Sequence, residues 1–88
     1  MKTQILTYRA IIQKDDKGYH GFVPALLGCH THGKNIEKVR KLLREAISAW
    51  IESRSVRGWN IPVDNTLETL ESVEVGAILK NGAKLSYA

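Results

Sequence analysis

One stretch of this chain constrains the fold more than any other. Ile36, Val39, Leu43, Ala46, Ile47 and Trp50 recur at helical spacing, with Leu42 and Ile51 widening the stripe. Lys38, Lys41, Glu45, Ser48 and Glu52 take the opposite side. Asn35 is placed to cap the N-terminus, and Glu37 sits in the first turn, where the helix dipole favours negative charge. The helix is expected to fade between Ser53 and Gly58. A single helix cannot bury its own apolar stripe, so the rest of the chain must supply a surface to cover it.

The residues before the helix read as that surface. Leu6, Tyr8, Ala10 and Ile12 alternate with polar neighbours over Ile5 to Gln13, the pattern of a half-buried strand. Lys14-Asp15-Asp16-Lys17-Gly18 is a hairpin turn, Tyr19 to Val23 a second strand ended by Pro24, and Cys29 to His32 a third strand closed by Gly33. Beyond the helix, Pro62 pushes Ile61 out of helical dihedrals. Leu67, Leu70 and Val73 suggest a short helical turn, and Ser72 to Leu79 a fourth strand. Asn81-Gly82 gives a two-residue hairpin signal. The expected architecture is α+β, in the order β-β-β-α-β with a C-terminal hairpin: an antiparallel-rich sheet with one helix on one face.

Size and charge narrow the class further. A domain of 88 residues buries only about 60–65% of its unfolded surface, so it gains from disulfides, metals or a second subunit. Cys29 is the only cysteine, which excludes an internal disulfide and suits a reducing, cytoplasmic setting as a small buried hydrophobe. Self-association is the remaining source of extra burial, and a homo-oligomer is expected. No apolar run is long enough to span a membrane, and the N-terminal residues lack the apolar stretch of a signal peptide.

The motifs together resemble the HicB-type antitoxins and their short HicB-like, UPF0150-type relatives. The resemblance rests on Tyr8 to Ile12, Asp15 to Pro24, Leu26 to Gly33 and the helix from Glu37 to Glu52. In pattern it is an acidic-Gly hairpin, a strand ending in proline, a loop from proline to Gly-Cys, and a glycine before the helix. Ala25 and Leu27 depart from that pattern, which has an acidic residue and a proline at those positions. The resemblance implies a partial RNase H-like domain over residues 1–75, and a tail, 76–88, too short for a complete DNA-binding domain. It also implies a function: binding a small HicA-type toxin that cleaves messenger RNA, and neutralising it sterically. Contact with operator DNA is then at most weak.

The residues themselves offer several chemistries. Phe22, Pro24, Leu26 and Leu27 are apolar at a strand end and loop, which fits the desolvated centre of a protein interface. For the two leucines a role in capping the core is an equal alternative. Lys34, Lys38, Arg40, Lys41 and Arg44 form a basic flank on the helix. With a net charge of +4, they support an alternative reading as a nucleic-acid-binding module. Trp59 is read as closing one end of the core, with anchoring of a partner as the alternative.

Catalysis is not expected. Metal-dependent nuclease chemistry needs carboxylates converging from several elements, whereas Asp15 and Asp16 diverge on a turn and Glu37, Glu45 and Glu52 lie on the solvated helix face. His20, His30 and His32 share one sheet face, but no carboxylate or second cysteine is evident to complete a zinc site. No metal and no cofactor are expected.

Overall fold

The computed structural model describes residues 3–86; the outermost ends of the two expected units, residues 1–2 and 87–88, lie outside it. Three strands, β1 (Ile11–Asp15), β2 (Gly18–Phe22) and β3 (His30–Gly33), precede one helix, α1 (Ile36–Val56). The strands form one antiparallel sheet in the order β1-β2-β3. Register pairs Ile12 with Gly21 and Gln13 with His20 in one ladder, and Gly21 with Thr31 and His20 with His32 in the other. The fold is α+β, as the periodicities imply.

The core lies between sheet and helix. Val23, Leu26, Cys29, Val39 and Leu43 are buried, with Tyr8, Ile12, Tyr19, Ala46, Ile47 and Trp50 packed around them. The Asn35 side chain accepts a hydrogen bond from Lys38 N at 2.8 Å and caps α1. Gly21 sits where α1 crosses β2: a Cβ there would stand 2.5 Å from Val39 Cγ1 and 2.9 Å from Leu43 Cδ1. The helix reaches the sheet only because this position has no side chain.

Four expectations need correction. The first strand is shorter than Ile5 to Gln13, because β2 offers ladder partners only to Ile11–Asp15; the preceding residues carry no ladder. Residues 57–86 contain neither the helical turn at Leu67, Leu70 and Val73 nor the fourth strand. The Asn81-Gly82 turn does form. Both residues have positive φ, 58° and 74°, and Ala83 N donates to Lys80 O at 3.1 Å. No strands flank it, so the terminal hairpin is absent from the described residues. Local β propensity makes a strand only where a neighbouring ladder receives it.

Residues 57–86 accordingly leave the core as an arm. Its root is fixed by Tyr8 Oη donating to Pro62 O at 2.6 Å and Arg9 N donating to Asp64 Oδ2 at 2.9 Å. The radius of gyration is 17.7 Å, against about 12 Å for a compact chain of this length, and the molecule is 60 Å long.

Candidate partner-binding surface

The loop joining β2 to β3 is built by three backbone hydrogen bonds of 3.0 Å: Val23 N to Cys29 O, Leu26 N to Val23 O, and Cys29 N to Leu26 O. This double turn separates its two leucines. Leu26 points inward and is 1% exposed, while Leu27 points outward and is 90% exposed. Leu26 therefore caps the core and leaves the set of candidate contact residues. Pro24 is exposed and Phe22 half-buried. Together with His20, Leu27 and His30 they border a depression of about 470 Å³.

The loop is tied to the helix. Trp50 Nε1 donates to Leu27 O at 3.0 Å, so the outward leucine rides on a fixed backbone. Arg54 stacks over Trp50, its guanidinium carbon 4.4 Å from the ring centroid, and lies 5.6 Å from Trp59. Arg57 stands 5.1 Å from the Trp59 ring and donates to Ser53 O at 2.8 Å. Trp59 is 55% exposed, which corrects its expected place in the core: the turn after α1 carries it onto two arginines instead. Leu27, Trp50, Arg54 and Trp59 thus continue the apolar loop as an aromatic and cationic ladder. Sequence periodicity assigns Trp50 to the helix stripe but gives no signal for its bond to the loop.

The histidines divide into two settings. His20 stacks on Phe22, with centroids 5.9 Å apart, and tilts against His30 at 5.5 Å. His32 turns instead to Asp15, whose Oδ2 is 3.0 Å from Nε2. The carboxylate missing from the sequence reading is therefore Asp15, brought across the sheet by the register. Its pKa is lowered by the backbone N–H of Lys17 first and by His32 second. Among the described residues no group of three or more metal-binding side chains converges. Burial pushes the Cys29 thiol up, away from the thiolate that nucleophilic chemistry needs.

Lys34, Lys38, Arg40, Lys41 and Arg44 are all exposed. Lys41 and Arg44 border one depression along the helix. Arg40 and Arg44 border a depression with Tyr8 and Ala10, whereas Lys38 packs beside Gly33 near β3. Among the described residues, no helix of the molecule is long and apolar enough to cross a membrane.

A three-stranded antiparallel sheet backed by one helix, with an apolar loop tied to that helix, defines a small α+β domain. The chain belongs to the UPF0150-like family, whose pattern matches residues 7–62. It is 44% identical over 64 residues to a UPF0150 protein from Thermoplasma acidophilum, covering 72% of this chain and 93% of that one. A UPF0150 protein from Synechocystis is 35% identical over 65 residues, 73% of this chain and 82% of the relative. No solved structure matches the chain.

Proposed function

We propose that the chain is a HicB-type antitoxin: a cytoplasmic protein that binds a small, HicA-type, messenger-RNA-cleaving toxin and covers its active surface, with no chemistry of its own. This reading takes the sheet and helix as a partial RNase H-like domain. The observation that carries it is the exposed Leu27 on a loop fixed by Trp50. An apolar side chain on a preordered backbone loses little entropy on binding, and that is what an interface anchor requires. Phe22 and Pro24 extend the contact on one side, and Trp59 and Arg54 on the other; tryptophan and arginine are enriched where interfaces gain most of their energy.

Affinity capture of the full chain from its host, followed by mass spectrometry after nuclease treatment, tests the reading. A stoichiometric small protein that arrests growth when expressed alone, and is silenced by co-expression of this chain, is the expected result. Recovery of nucleic acid alone, released steeply by salt, would instead assign binding to the basic helix flank of Lys34, Lys38, Arg40, Lys41 and Arg44.

A further inference from the structure

The arm and the body carry opposite charge. Residues 1–58 hold eleven of the thirteen lysines and arginines against five acids, whereas residues 59–79 hold four acids, Asp64, Glu68, Glu71 and Glu74, and no basic residue. Leu67, Leu70 and Val73 follow one another at intervals of three, each with a glutamate directly after it. Such a segment interleaves apolar and negative side chains. Leu67 and Leu70 are each 94% exposed and Val73 is 70% exposed, so the chain's own core does not cover them.

The body offers a surface of matching character close to where the arm begins. A depression of about 230 Å³, lined by Tyr8, Ala10, Leu43 and Ile47 with Arg40 and Arg44, lies between the segment before β1 and the helix. Its floor is apolar and its cations are guanidinium groups, which pair well with carboxylates. Tyr8 belongs both to this groove and to the arm's root, through its hydrogen bond to Pro62. Leu67 lies three residues beyond Asp64, a reach of about 10 Å.

We infer that the acidic arm docks in the Arg40–Arg44 groove of a second copy of this chain, and that a two-fold dimer forms by reciprocal exchange of arms. Groove and arm root share Tyr8, so a two-fold axis passing near that residue brings each arm to the other copy's groove with a short crossing. Leu67 and Leu70 supply the apolar contact, and Glu68, Glu71 and Glu74 face Arg40 and Arg44. The added burial is what a small core needs. The family match covers residues 7–62, so the groove belongs to the shared domain and the Leu67–Glu74 segment of the arm lies beyond it. The exchange of arms leaves Leu27 and Trp59 outside its contact.

Charge reversal with complementation tests the inference by sedimentation velocity on the full chain. The wild type sediments as a dimer that loosens as salt rises. E68K/E71K/E74K and R40E/R44E, all at exposed positions, each weaken the dimer by at least about tenfold, with far-UV circular dichroism unchanged. An equimolar mixture of the two variants recovers the dimer, because reversed arms then meet reversed grooves at one contact and wild-type arms meet wild-type grooves at the other. A monomeric wild type overturns the inference, as do variant dimers as tight as wild type or a mixture that stays monomeric. If either variant loses its helical signal, the salt dependence of the wild-type dimer decides: a dimer indifferent to salt overturns the inference.

Discussion

Gly21 and Val39 set the distance between sheet and helix: a Cβ on Gly21 would stand 2.5 Å from Val39 Cγ1. Two rigid elements meet there, so neither can yield by rotating a long side chain. Gly21→Ala is expected to lose about 1–3 kcal/mol through overpacking, measured as a lower denaturant midpoint at unchanged slope. A stability equal to wild type would show that α1 can lift from β2 at no cost.

The two loop leucines give opposite expectations for the same change. Leu26→Ala removes a core side chain and should cost about 2–5 kcal/mol. Leu27→Ala removes an exposed one, so its stability stays within about 0.5 kcal/mol of wild type, while binding to the captured protein weakens. Paired denaturation and binding titrations check both. An intact Leu27→Ala complex would remove the loop from the contact surface.

The helix, its cap and the order of the strands were legible because each rests on a local rule: the stripe through Val39 and Leu43, Asn35 before the first turn, Gly18 and Pro24 as punctuation. What stayed hidden depends on contacts distant in sequence. Nothing local distinguishes Leu26 from Leu27; the double turn between Val23 and Cys29 does. Asp15 meets His32 only because both pair around β2. Trp59 lacks a periodic signal, and its place on Arg54 and Arg57 follows from how α1 ends. Val73 and Val75 have strand propensity, but no neighbouring strand receives them.

The arm's root is sensitive to acid. Hydrogen bonds from the Thr66 hydroxyl, then from the backbone N–H groups of Arg9 and Thr66, hold the Asp64 carboxyl down at about 2, against an ordinary 3.8. Its folded pKa lies below its unfolded one, so the contribution to stability is complete above about pH 4. It is lost as the pH falls through about 2. NMR titration of the Arg9 and Thr66 amides should show a shared midpoint near 2. Asp64→Asn should remove that midpoint. A midpoint near 4 would mean that the hydrogen bonds from Thr66 and Arg9 to Asp64 do not persist in solution.

Trp59 separates a contact role from a core role most cleanly. Its ring is 55% exposed and lies against Arg54 and Arg57, a cation–π contact worth about 0.5–1 kcal/mol at an exposed site. A buried tryptophan would cost about 3–5 kcal/mol on truncation. Trp59→Ala should therefore lower stability by under about 1 kcal/mol. If the ladder from Leu27 to Trp59 forms the interface, the same change costs about 2 kcal/mol or more in binding the captured protein, roughly a 30-fold loss. Calorimetric titration beside a denaturation curve measures both quantities on one preparation. Large loss of stability would return Trp59 to the core. Unchanged stability with unchanged affinity would confine the interface to Phe22, Pro24 and Leu27.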